Sequence, residues 1–335
     1  MLLVNNSKIS FILTSLIYVV FFTSCVVDNS SVQHPSFIYK SDDYALYKKE
    51  KGSSFELLAR IQLGDEKWAW KIEDANDINT SGDGALIRVP LKDHNIGGLF
   101  EDGYQSVPIL SYHQFGVGKK STCISPDIFN QQMKYLKDNG YRVITPADLL
   151  DFLEYRRQIP KKSVLITIDD GYRAIYDIAW PILKKYKFPA TLFVYTNYVG
   201  ISKKALSWND LRYLKSQGFT IGSHTVSHAD LTKKKPDEKP DDFYRRIRKE
   251  LALSKKIIDK ELKQDTICLA FPYGRQNQDV LEMAKSIGYK IAVTVDRGSN
   301  PFFINPLALK RNMILKKDIK SFISKLKTFN NLSLK

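Results

Sequence analysis

The sequence is poor in cysteine, with three in 335 residues: Cys25, Cys123 and Cys268. Cys25 falls in an N-terminal leader. The two that remain are too far apart to make a disulfide framework, so free buried thiols are expected. Histidine is nearly as sparse. The five are His34, His94, His113, His224 and His228, and none follows His228. The leader's apolar run, Ile9 to Phe22, is shorter than the ~20 residues a membrane-spanning helix needs. Acidic residues are also short, 36 against 51 Lys and Arg, which leaves a net charge of +15. Such a balance favours anionic partners. The lysines are scattered, however, with runs only at "TKKKPDEKP" and in the tail "LKKDIKSFISKLK", and no nucleic-acid motif accompanies them. The expected reading is a solvated lysine-rich surface and no nucleic-acid partner.

What is present begins with Lys8, the apolar run and "TSC", which together read as an export signal over residues 1–25. Thr23, Ser24 and Cys25 have the pattern of a bacterial lipoprotein signal, with Phe22 where an aliphatic residue is usual. Cys25 would then carry acyl chains, giving an exported lipoprotein held on a membrane at the cell envelope. Residues 26–42 are polar and read as a tether. Residues 43–92 form a small α+β unit in the order strand, helix, helix, strand: "YALYKK", "SSFELLARIQLG", "EKWAWKIEDAN" and "ALIRVPL". This order resembles a LysM module, through Gly52-Ser53-Ser54-Phe55, Leu63-Gly64-Asp65, Trp70, Ile72, Asn76 and Val89-Pro90-Leu91. The resemblance implies binding of N-acetylglucosamine-containing glycans. The acidic residue usual after the first glycine is Ser53 here.

After a linker at 93–104, apolar strands alternate with amphipathic helices from 105 to 318, and a basic helix or tail follows at 319–335. The expected strands are "VPILSY", "SVLITID", "ATLFVY", "FTIGSH", "ICLAF", "KIAVTV" and "RNMIL". Continuously apolar strands separated by helices mean a parallel sheet covered by helices. About seven of them predict an α/β fold, a distorted and incomplete (β/α) barrel, with its chemistry at the C-terminal ends of the strands.

Polar residues gather at those ends. "LITIDDG" ends in Asp169 and Asp170, "FTIGSHTVSH" in His224 and His228, "CLAFPYG" in Pro272-Tyr273-Gly274, and "PILSYHQF" in His113. Two adjacent acids repel each other and need a cation if they are buried. One carboxylate with two imidazoles four residues apart suits a divalent metal ion, zinc or one like it. The second carboxylate is then left to take a proton from an activated water. Gly171 frees the backbone so that both acids can turn to one site.

The set resembles the polysaccharide deacetylases of carbohydrate esterase family four, the NodB-homology fold. "TIDDG", "HTVSH" and "PYG" match that family's three motifs in order, over about residues 105–315. The resemblance implies that Asp169 is the catalytic base and that Asp170, His224 and His228 are the metal ligands. It also makes the Tyr273 backbone N–H the oxyanion donor. The reaction implied is hydrolysis of N-acetyl groups on N-acetylglucosamine units of an exopolysaccharide, peptidoglycan or chitin. Ala270 stands where many members carry an arginine that contacts the base. No histidine is left for the usual C-terminal acid. His113 resembles the acid of the poly-N-acetylglucosamine deacetylase subgroup, and Arg311 resembles a late-strand arginine of that subgroup that would orient Asp169. Trp208 is expected either to line a sugar groove or to open a helix from the core, and Asp296 to sit on a solvent-facing loop. The alternative function is a non-catalytic glycan-binding lipoprotein on a decayed barrel, for which Ala270 is the main support.

Overall fold

The computed structural model describes residues 35–76, 82–315 and 318–332. The leader, Cys25 and residues 26–34 of the expected tether lie outside the described residues. No helix among the described residues is long and apolar enough to cross a membrane.

In the N-terminal unit, Tyr44–Lys48 pairs antiparallel with Leu86–Pro90, and helices Phe55–Leu63 and Ala69–Ala75 connect them. Ser54 caps the first helix by accepting the Leu57 N–H, and Gly64 ends it at φ 80°. One more strand is present than expected. Ser36–Lys40, in the stretch read as tether, pairs antiparallel with Tyr44–Lys48. Phe37, Ile38 and Tyr39 are good strand formers, and a turn closed by the Ser41 N–H on the Tyr44 carbonyl folds them back onto the sheet.

The main sheet runs in the order Ile291–Val293, Cys268–Ala270, Thr220–Ser223, Thr191–Val194, Ser163–Ile168, Gly103–Tyr112. All these neighbours are parallel. Asn312–Met313 pairs parallel with the far side of Gly103–Tyr112, and a parallel bridge joins Val293 to Leu309. The seven expected strands are therefore present, and their sheet curls nearly back on itself. Neighbouring residues bury on opposite faces. Ile109, Leu165, Phe193 and Ile291 pack in one cluster within the curl, while Leu110, Ile166 and Leu192 pack under the helices. This is why the strands read as unbroken apolar runs. Gly222 keeps the interior open for Phe193, because a Cβ there would lie 2.7 Å from the Phe193 ring. Cys123 and Cys268 are buried free thiols, as expected.

Two boundaries differ from expectation. Leu99–Phe100, in the expected linker, pairs with Gly103–Tyr104, and Asp93 is ion-paired to Lys71. The basic tail does form a short helix, Ile319–Ile323, but then returns as strand Phe329–Asn331 against Gly103–Gln105. Gly103 permits this, since any Cβ there would lie 2.1 Å from the Asn330 carbonyl oxygen. Phe329 then packs edge-on against Phe100 at 5.6 Å.

The N-terminal unit is fastened to the barrel at the end remote from the expected chemistry. Glu73 pairs with Arg142, and Asp74 accepts the Lys161 N–H at 2.9 Å. Arg142 lies opposite Ser163, the first residue of the strand that leads to Asp169.

Candidate active site

The two acids reach one site by a change of backbone hand. Leu165, Thr167 and Asp169 follow the alternation that points into the curl, and the Asp169 N–H is held by the Tyr112 carbonyl at 3.0 Å. Asp170 would face the other way on a regular strand, but it sits at φ 78°, with Gly171 at φ 84°. Two successive left-handed residues turn its carboxylate back over the strand end. A left-handed conformation outside glycine costs energy, and here it recurs at Thr225 (φ 71°), His228 (φ 60°) and Tyr273 (φ 59°), all around the same site.

His224 continues strand Thr220–Ser223, and its Nδ1 bonds the Ala270 carbonyl at 2.7 Å. That bond fixes the tautomer, with Nδ1–H donating and the Nε2 lone pair free. His228 is carried by the turn that follows. Glu250, on the long helix Pro240–Leu262, clamps this turn. Its carboxylate accepts the N–H groups of Val226 (3.0 Å) and Ser227 (2.9 Å) and the Ser227 hydroxyl (2.7 Å). Both Nε2 atoms lie 3.8 Å from Asp170 Oδ1, and one donor atom from each of Asp170, His224 and His228 falls within 4.8 Å of the others.

Asp169 stands beside this cluster and has its own partner. Arg311 donates to both of its oxygens, Nη1 to Oδ1 and Nη2 to Oδ2, each at 2.8 Å, with the pair about 1–2% exposed. Arg311 also donates to the carbonyl of Thr294 at 2.8 Å. The position of Ala270 is thus not a gap, because the guanidinium comes from a different strand. His113 Nε2 is 3.8 Å from Asp169 Oδ2, and His113 Nδ1 is buried without a hydrogen-bond partner among the described residues.

The electrostatics divide the two acids. Burial alone would raise the pKa of Asp169, but Arg311, with His224 and His113, overrides it and holds the carboxyl well below the usual range. Asp170 is pushed up to about 6, first by burial and then by the charge of Asp169. Burial lowers both imidazoles, His224 to about 4. The pair of neutral imidazoles with one strained carboxylate has the donor chemistry of a divalent-cation site, and a cation there would remove the reason for the raised Asp170.

Tyr273 presents an exposed side chain that meets the His228 ring edge-on at 4.7 Å. Its backbone N–H has no hydrogen-bond partner among the described residues. An aromatic wall not singled out from sequence completes the mouth. Tyr172 meets Tyr198 edge-on at 5.6 Å, Tyr195 packs 5.5 Å from His228, and Tyr198 stacks on Tyr195 at 5.0 Å. The only sequence signal for these residues was a tyrosine just past each strand end. Trp208 opens helix Trp208–Ser216 and packs against the core, and Asp296 is exposed on its loop.

Residues 156–292 match the family model for polysaccharide deacetylases. YxkH of Bacillus subtilis strain 168, assigned to the same group, is 35% identical over 193 residues, which is 58% of this chain and 66% of that protein. The poly-β-1,6-N-acetyl-D-glucosamine N-deacetylase of Staphylococcus aureus strain MRSA252 is 33% identical over 201 residues, covering 55% of this chain and 67% of its own. The chain thus spans about two thirds of the length of these relatives. Among solved structures, the Streptococcus pyogenes deacetylase PplD in complex with acetate superposes with a TM-score of 0.60 at 31% identity, over 66% of this chain and 98% of that one. IcaB from Ammonifex degensii gives a TM-score of 0.60 at 26% identity, over 67% and 98%. Motifs, fold and relatives agree, and the chain belongs to the polysaccharide deacetylase family.

Proposed function

We propose that this protein is a metal-dependent N-deacetylase acting on N-acetylglucosamine units of an envelope or extracellular polysaccharide, with a poly-N-acetylglucosamine exopolysaccharide as first candidate. In this reading, residues 1–25 direct export and Cys25 carries a lipid anchor. The N-terminal unit is a LysM-like glycan contact, held away from the catalytic mouth. One observation carries the catalytic reading: Asp170, His224 and His228 converge within 4.8 Å while Asp169 and His113 stand together beside them. The decayed-barrel alternative loses its main support because Arg311 supplies the guanidinium that Ala270 lacks.

Asp170, His224 and His228 would hold the ion, zinc in the first instance. When bound, it supplies Lewis-acid polarisation of the amide carbonyl and lowers the pKa of the attacking water. Asp169 is ionised at any working pH and so is free to accept the proton of that water. The weakly basic carboxylate hands that proton on to His113, which restores the proton His113 gives up. His113 is 3.8 Å away and passes a proton to the leaving amine. The Tyr273 N–H donates to the oxygen that gains charge. The product is free acetate and a glucosamine unit. Acetate release should be measured on poly-β-1,6-N-acetylglucosamine, peptidoglycan and chitin oligomers with zinc added. Release from the first, above the other two, is the expected result. Release from none of them would contradict the proposal.

Two further results are expected. Asp170, raised to about 6, must lose a proton for the ion to bind below that pH, while burial holds His224 at about 4 and lowers His228. Zinc affinity of the metal-free protein should therefore fall as pH drops below about 6, with about one proton released per ion one pH unit lower. Release of two protons would show that an imidazole titrates as well. Glu250→Ala should weaken zinc binding about 10–100-fold by freeing the turn that carries His228, and Glu250→Gln, which keeps some of the acceptors, should weaken it less. Unchanged affinity in Glu250→Ala would show that the clamp does not position the ligand.

A further inference from the structure

A second cleft opens beside strand Gly103–Tyr112, where Ser299–Pro301, Asn312–Met313 and Phe329–Asn331 pair with it. It holds about 730 Å³ and is lined by Lys310, Lys325, Lys327, Tyr104, Phe303 and asparagine side chains, with no Asp or Glu in its lining. Along this strand Pro301 faces Ser106 and Asn330 faces Tyr104. The lining reaches from Tyr104 to Asn312, which pairs with Leu110 three residues before His113, and none of the lining side chains belongs to the site already described.

The cleft is built by hydrogen bonds from its own lining. Asn312 Nδ2 donates to the carbonyls of Gly298 and Lys325, each at 3.1 Å, and so ties two walls together. The buried Asn300 accepts the Lys310 N–H at 2.8 Å and donates to the carbonyls of Lys310 and Val107 at 2.9 Å. Asn330 donates to the Ser106 hydroxyl at 2.9 Å. The Lys310 side chain lies over Gly298, where a Cβ would meet its Cδ at 2.8 Å. Lys310 and Lys327 make no ion pair with an acid among the described residues. At the rim Phe303 is 61% exposed, braced edge-on by Tyr104 at 5.3 Å.

We propose that this cleft binds an anionic glycan, a sugar polymer bearing carboxylate or phosphate groups. Cations in a concave, acid-free cleft concentrate negative charge. The exposed ring offers a flat apolar face to the C–H face of a sugar. The same lysines repel a polymer of free glucosamine amines, so the proposed product of the catalytic site is excluded as the occupant. The inference does not depend on the catalytic reading.

The test uses the full chain and a fluorescent oligogalacturonate as probe, with neutral chitooligosaccharide as control. Vesicles of phosphatidylcholine, with and without phosphatidylglycerol, form a separate arm. Wild type should bind the oligogalacturonate in a salt-sensitive manner and bind the neutral oligomer at least tenfold more weakly. Lys310→Gln with Lys327→Gln should lose at least tenfold in affinity, and Phe303→Ala should also weaken binding. Removing the exposed run Lys233, Lys234 and Lys235 by Gln substitution should not. Acetate release and thermal unfolding should be unchanged in the cleft variants. Equal loss in the Lys233–Lys235 variant, no loss in the Lys310/Lys327 variant, or binding only to phosphatidylglycerol vesicles would each overturn the proposal.

Discussion

Asp169→Asn is expected to lower acetate release about 10²–10⁴-fold, the usual worth of a positioned acid–base group, while zinc remains bound. The geometry separates the two effects. Asp169 lies outside the cluster of Asp170, His224 and His228, and its oxygens are both taken by Arg311. An asparagine keeps the shape and one acceptor but cannot take a proton. Substituting any of the other three is expected to lose zinc and activity together. The check is single-turnover acetate release alongside metal content for each purified variant. If Asp169→Asn lost its zinc as fully as His224→Ala, Asp169 would be a ligand and its proposed role as base would fall. Activity near that of wild type would remove the role outright.

Arg311→Met is expected to be among the most destabilising single substitutions in the chain. The guanidinium and the Asp169 carboxylate are both almost fully buried. Deleting one partner leaves the other as an uncompensated charge in the interior, which costs about 3–5 kcal/mol. The double variant Arg311→Met with Asp169→Asn removes both charges, and should recover much of that loss because a buried pair is often replaced without net cost. Activity should not return with stability, since the base is gone. Urea unfolding of the two single variants and the double variant closes the cycle. Simple addition of the two single effects would show that the side chains do not act as a pair. If the single Arg311→Met variant cannot be purified, Arg311→Lys, which keeps the charge but loses the two-pronged geometry, supplies the intermediate case.

Much of the barrel was legible because its strands are buried on both faces, which writes an unbroken apolar run into each of them. The motifs were legible because they fall where those runs stop. What sequence could not show is how Asp170 turns. Alternation places it on the face opposite Asp169, and Gly171 was the visible permission, but the change of hand begins at Asp170 itself. Arg311 could be matched to a family position, yet its bidentate hold on Asp169 bridges 142 residues and exists only once the sheet curls. Glu250 was invisible for a related reason: a glutamate in a charged amphipathic helix reads as solvent-facing until the helix docks beside the histidine turn. Of the added strands, Ser36–Lys40 and Phe329–Asn331 were missed because each is short. Ser36–Lys40 looked like the end of a polar tether, and Phe329–Asn331 followed a lysine-rich tail. Their pairing depends on neighbours, in the second case on the bare backbone at Gly103.

The central claim is that one divalent ion sits among Asp170, His224 and His228 while Asp169 stays free of it. Anomalous diffraction at the zinc absorption edge, from crystals of the full chain grown with zinc, tests it most directly. The account predicts a single strong peak within bonding distance of those three side chains, with Asp169 still on Arg311. A peak bonded to Asp169, or none at this cluster with zinc bound elsewhere, would contradict it.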